Sequence, residues 1–279
     1  MNVNDLVMVS VDDHVIEPPH MFEGRVPDKY ADVAPRLVRR PDGTMAWAYE
    51  GQEILNVAVN AVAGRPKEEY GFEPTCIEEL RTGCYDIHDR VKDMNANGVL
   101  GSMCFPSFPR FAGQLFMESK DRAQGEAMVR AYNDWHIDEW CGSYPGRFIP
   151  LALPVIWSPQ AAAAEVRRVA AKSCHAVTFT SGPYALGLPS LYSDEWDPFW
   201  ASCVETDTVV CMHLGSNSKT PSTSPDAPTE LIYSLSPVGL MEAAADILWS
   251  PMFRKFPALR VALSEGGIGW IPYFLERVD

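Results

Sequence analysis

Four side chains in this sequence have the types and positions for chemistry on a divalent ion. Asp12 and His14 lie two residues apart at the end of the apolar run "LVMVSVDDHV" (6–15). A strand's period of two puts both on one face. His213 closes the run in "TVVCMHLGS" (208–216), and Glu265 closes the one in "LRVALSEGG" (259–267). Two imidazoles and one carboxylate suit zinc, or manganese as the second candidate, and leave a coordination position open for water or substrate. Glu265 is the candidate acid/base: a general base on an activated water, or a proton donor where apolar walls or a neighbouring acid raise its pKa. Plainer readings stand beside these. An isolated Asp-x-His is a weak motif, and His213 alone is equally a hydrogen-bonded core residue. The lesser reading of Glu265 is a cap on the Gly266–Gly267 turn. The joint placement at strand ends gives the set its weight.

The elements that must position these residues alternate. "RFIPLALPVI" (147–156) reads as a strand, and "SPQAAAAEVRRVAAK" (158–172) as a helix with Ser158 at its N-cap and Pro159 in its first turn. A strand at 175–181, a helix at 194–206, a strand at 208–216, a helix at 239–250 and a strand at 259–267 follow, and 270–279 opens another helix. Upstream, strands are expected at 6–15 and 99–108, with helices at 89–98 and 119–144. Strand–helix repeats of about 30 residues indicate βα units on a parallel sheet. The expected architecture is therefore a (β/α)8 barrel forming one domain over 1–279, with an insertion at about 17–85 that contains a hairpin in "TMAWAYEGQEILNV". Six such strands can be counted where a closed barrel needs eight, so the pattern is expected to lack its last strands. Asp12, His14, His213 and Glu265 all fall at C-terminal strand ends, the face that carries chemistry in this fold. The polar loop "SNSKTPSTSPDAPTE" (216–230) follows one such end and suits a lid or substrate loop.

Arg110, in "CFPSFPRF" after the second barrel strand, is a candidate contact for a substrate anion, and Phe105, Phe108 and Phe111 beside it suit a flat ring or simply pack. His88 and His136 read as surface or packing residues, His175 as structural, and His20 as a loop residue without an assigned role. The "WDPFW" aromatics (196–200) read as a packing stripe.

The sequence also excludes partners. With 23 Lys and Arg against 37 Asp and Glu, the net charge is −14, and no basic run suits a phosphate backbone. No stretch of 18 consecutive apolar residues suggests a membrane span, and the N-terminus does not read as a signal peptide. Seven scattered cysteines without a CxxC pair fit reduced thiols in the cytoplasm. The expected partner is a small-molecule substrate, with a homodimer as an allowed assembly.

"VSVDDHVIEPPHMF", "DEWDPFWASCVETDTVVCMHLGS" and "LRVALSEGGIGWIPYFLERVD" together resemble the amidohydrolase-related family, which includes aminocarboxymuconate-semialdehyde decarboxylase and the resorcylate-type decarboxylases. The resemblance implies that Asp12 and His14 are the strand-one ligand pair and His213 the strand-five ligand. It implies a further Asp ligand on the family's eighth strand, which this chain does not reach, so a truncated gene model or a fragment is expected. Several decarboxylase members have histidine where this chain has Glu265. The implied activities are metal-assisted hydrolysis and non-oxidative decarboxylation. A catalytically silent barrel serving as a binding or scaffold subunit is the alternative.

Overall fold

The computed structural model describes residues 6–55, 57, 61–70, 75–219 and 221–279, and the chain divides into two units after Leu151. In the first unit, β1 (Met8–His14) is followed by the antiparallel strands β2 (Arg36–Arg39), β3 (Met45–Tyr49) and β4 (Gln52–Ile54). The expected hairpin is β3–β4, and β2 adds a strand that the sequence reading missed; Asn56, in the expected hairpin span, lies outside the described residues. Glu50 and Gly51 join β3 to β4 with φ of 53° and 77°. A two-residue turn with positive φ at both positions matches the twist of the paired strands.

Helix α1 (Ile87–Ala96) starts at Asp86, whose carboxylate accepts from Asp89 N at 2.9 Å, and buries Ile87, Val91 and Met94 at helical spacing. It leads into β5 (Val99–Phe105), which pairs in parallel with β1 so that His14 stands opposite Phe105. The short α2 (Gln114–Met117) and α3 (Arg122–Asp134) follow. The single helix expected at 119–144 is instead α3 continued by a π-helical stretch, Trp135–Cys141. Five of that stretch's seven residues are buried (Trp135, His136, Ile137, Trp140 and Cys141), more than one stripe of an α-helix presents.

The strand expected at 147–156 does not form a ladder. Phe148 bridges Ser102 in the first unit, and Ala152 bridges Val177 in the second. Pro150 and Pro154 remove two backbone donors from this run, which limits it to isolated bridges.

The second unit contains α4 (Pro159–Ala170), β6 (Ala176–Phe179), α5 (Asp197–Glu205), β7 (Val209–His213), α6 (Thr229–Trp249), α7 (Met252–Lys255), β8 (Arg260–Ser264) and α8 (Ile271–Val278). β6, β7 and β8 form a parallel sheet, with His213 opposite Ser264. The "WDPFW" aromatics pack as expected: Trp196, Phe199 and Trp200 surround Phe179 at ring separations of 4.9–5.1 Å. Ser158 Oγ caps α4 by accepting from Ala161 N.

Helix α6 begins ten residues before the expected start, inside the segment read as loop. Pro237 looks like a stop but is carried within the helix, where it lacks the N–H that would reach Tyr233. Among the described residues α6 is the one helix long and apolar enough, by length and composition, to cross a membrane. It also carries Glu230, Glu242 and Asp246, and buries Leu240, Ala243 and Ile247. All seven cysteines are free thiols, and burial pushes those of Cys174, Cys203 and Cys211 up to about 12.

Glu17, given no role by the sequence, fastens the loop after β1 to the loop after β5. Its two carboxylate oxygens accept from Ser107 N at 2.9 Å and Phe108 N at 2.8 Å. The side chain is wholly buried, and desolvation outweighs these hydrogen bonds and raises its pKa to about 7.

Two outcomes follow. Ser158→Ala should cost about 1 kcal/mol in denaturant unfolding, the usual worth of an N-cap; unchanged stability would mean that the cap is idle. Glu17 is held above its unfolded value, so its contribution is complete below about pH 4.5 and is lost as pH rises through about 7. Glu17→Gln, which cannot ionise, should flatten the fall in unfolding free energy across that window by about 3 kcal/mol at most. Parallel pH profiles for the two proteins would refute the assignment.

Candidate functional site

In the first unit, β1 ends with Asp12, Asp13 and His14. Asp13 is engaged by Ser10 Oγ, which donates at 2.7 Å, and by Ser102 Oγ on β5. Asp12 and His14 take the other face and bring one potential ligand atom each to within 4.8 Å of one another. The His14 ring lies against Phe111 and Phe105, with centroids 5.5 and 6.1 Å away, and Arg90 on α1 donates to the His14 carbonyl at 2.6 Å. An aromatic wall and an anchored backbone thus fix the imidazole's position.

In the second unit, His213 is buried at the end of β7. Its Nδ1 lies 2.6 Å from Leu214 O. A carbonyl can only accept, so Nδ1 carries a proton. Nε2 faces Glu265 Oε2 at 3.2 Å. A neutral imidazole nitrogen and a carboxylate oxygen are both acceptors, so this approach is favourable only with a positive charge between or beside them: a proton or a metal ion. A backbone carbonyl holding the remote ring N–H is the usual arrangement behind a metal-ligating histidine.

Glu265 reaches this position through unusual backbone. Its φ is 68°, left-handed and uncommon for a residue with a side chain. The next residue must be glycine, because a Cβ on Gly266 would lie 2.2–2.8 Å from Leu240 side-chain atoms on α6. The turn is held by the Trp270 indole, which donates to Gly266 O at 2.9 Å. Leu214, Gly215 and Glu265 also line a cavity of about 630 Å³ in this unit.

The other candidates fall elsewhere. Arg110 has a φ of 60°, is half exposed, and gives its guanidinium to Glu118 at 2.6 Å. Phe108 stacks on Trp47 of β3 at 4.3 Å and is a packing residue, whereas Phe105 and Phe111 flank His14. His20, given no role by the sequence, approaches Glu139 on the π-helical stretch at 2.8 Å, and Arg25 pairs with the same carboxylate. His88 meets the Tyr144 hydroxyl at 2.9 Å, and His175 Nδ1 lies 2.8 Å from Thr206 O. His136 is fully buried, and burial lowers its pKa to about 4, which keeps it neutral. Gly266 and Glu17 are the positions that residue types at strand ends did not reveal; a Gly-Gly pair after a strand and an acid before Pro-Pro were their faint signals.

No curated protein matches the chain in sequence. Solved structures do match in fold. An amidohydrolase from Mycobacterium avium subsp. paratuberculosis K-10 aligns with a TM-score of 0.76 at 17% identity, over 98% of this chain and 76% of its own. A 5-carboxyvanillate decarboxylase from Novosphingobium aromaticivorans DSM 12444, complexed with manganese, aligns with a TM-score of 0.62 at 17% identity over 99% and 70%. A dihydroxybenzoic acid decarboxylase from Polaromonas sp. JS666, with bound manganese and the inhibitor 2-nitroresorcinol, aligns with a TM-score of 0.58 at 20% identity over 98% and 69%. The mixed α/β fold is therefore that of amidohydrolase structures. The Amidohydrolase family model matches residues 55–279, most of the sequence: the chain belongs to the amidohydrolase family.

Proposed function

We propose that the chain is a metal-dependent enzyme that hydrolyses or non-oxidatively decarboxylates a small carboxylate-bearing or aromatic substrate. The observation that carries this reading is the placement of chemistry-bearing side chains at strand ends: Asp12 and His14 at the end of β1, and His213 3.2 Å from Glu265 at the ends of neighbouring parallel strands. We take Asp12, His14 and His213 as ligands of one divalent ion, zinc first and manganese second. Their donor set, one carboxylate and two imidazoles, suits either ion. When bound, the ion would supply Lewis acidity toward water or a substrate oxygen.

The chain's own residues supply the rest. Leu214 O keeps the His213 tautomer fixed with Nε2 as donor atom. Glu265, half exposed at the cavity wall, holds a proton on Oε2 or takes one from water, the role common to both reactions. Arg110 receives a substrate anion if that anion displaces Glu118. The reading includes residues 1–279 as one (β/α)8-type domain with the insertion at about 17–85. It includes a small-molecule partner rather than nucleic acid or membrane, allows a homodimer, and places the protein in the cytoplasm. No observation among the described residues favours a catalytically silent scaffold.

Metal analysis of the purified chain should find a divalent ion, and chelation should remove both the ion and turnover of aromatic and aliphatic acids or esters, with zinc or manganese restoring them. His213→Ala should lose the ion outright; retained metal would sink the ligand assignment. Glu265→Gln should keep the ion while cutting turnover roughly 10²-fold, the scale of acid–base catalysis. Unchanged turnover would leave Glu265 as a turn residue only.

A further inference from the structure

The cavity that begins at Glu265 extends well beyond what a small one-ring acid needs. Its volume is about 630 Å³, within the range of sites that enclose whole drug-sized molecules. Leu214 and the α6 residues Ile232, Leu235 and Val238 give it an apolar wall. A second cavity of about 440 Å³ adjoins it, and Ser181, Asn217, Lys219, Gly239 and Glu242 line both. Tyr184, Tyr192 and Trp249 line the second cavity.

The charged residues that line the two cavities are Lys219, Glu242, Glu265 and Asp246. Lys219 is the cation among the described residues that line either cavity. In the first cavity the acids are Glu265, committed to His213, and Glu242. Lys219 sits on an anchored loop: its backbone N–H donates to Asn217 Oδ1 at 3.0 Å, and Asn217 is buried. The adjoining Ser216 Oγ accepts from Ser181 N at 2.8 Å, tying the loop after β7 to the loop after β6. A cation on a fixed base beside an apolar wall is the arrangement that selects an acid with a bulky hydrocarbon body.

We propose that this cavity takes an organic acid whose apolar body is larger than one ring, with its carboxylate on Lys219 and its body against Ile232, Leu235 and Val238. The proposal rests on the carboxylate-substrate reading above, names that substrate's size, and places its carboxylate on Lys219 in preference to Arg110, whose guanidinium is paired with Glu118.

Binding of benzoate, 2-naphthoate and uncharged 2-naphthol to the metal-loaded chain tests it by calorimetry. 2-Naphthoate should bind at least tenfold more tightly than either of the others. Lys219→Met, a change at an exposed side chain, should weaken 2-naphthoate about tenfold and leave 2-naphthol unchanged. Val238→Trp, which fills the apolar wall, should weaken 2-naphthoate more than benzoate. A two-ring acid that binds no better than benzoate, or an affinity indifferent to Lys219, overturns the proposal. The same series on chelated protein separates the two readings. Lys219-dependent binding without metal supports this one even if metal analysis finds no ion. Lys219-independent binding with metal present overturns it and leaves the metal reading standing.

Discussion

Two lone pairs cannot face one another at 3.2 Å without a positive charge to reconcile them, and the second unit is arranged to bring His213 Nε2 and Glu265 Oε2 that close. The parallel pairing of β7 and β8 sets His213 level with Ser264, so the next residue emerges beside the imidazole. Left-handed backbone at Glu265 turns its carboxylate back over the strand end, and Gly266 leaves room for Leu240 beneath. Leu214 O holds the tautomer. The sheet register, the left-handed turn and the helix contact all bear on this one electrostatic demand.

The first unit solves a related problem by fastening loops. Glu17 spends a buried carboxylate on two backbone donors of the loop after β5, while Arg90 holds the carbonyl of His14. Both contacts restrain the ends of β1 and β5, the strand ends that carry Asp12 and His14 on one side and Phe105 on the other. A carboxylate that desolvation keeps near its titration point is a costly fastener. It is understandable where a loop's exact course matters more than its stability.

Period-two and helical patterns were legible because burial imposes them on residue type: β1, β5, β6, β7, β8, α1, α4 and α5 lie where apolar spacing put them. Asp12, His14, His213 and Glu265 were legible as chemistry-bearing types at strand ends, and the aromatics of 196–200 as packing. What was not legible depends on tertiary context. Pro150 and Pro154 reduced an apolar run to isolated bridges, since apolarity does not report a missing donor. The start of α6 was not legible: the helix was expected only from residue 239, whereas it begins at Thr229 and carries Pro237 within it. The π-helical stretch came from the demand to bury five of seven residues. Arg110 looked available in sequence because Glu118, eight residues on, only becomes its partner in three dimensions.

Helix α6 has two duties. Ile232, Leu235 and Val238, on either side of Pro237, face the cavity, whereas Leu240 packs on Gly266 beneath the turn that bears Glu265. Substitutions at the cavity-facing positions can reshape what the cavity admits while the turn bearing Glu265 keeps its support. A lineage could therefore change what the cavity admits by editing about two turns of one helix, without disturbing the turn that bears Glu265.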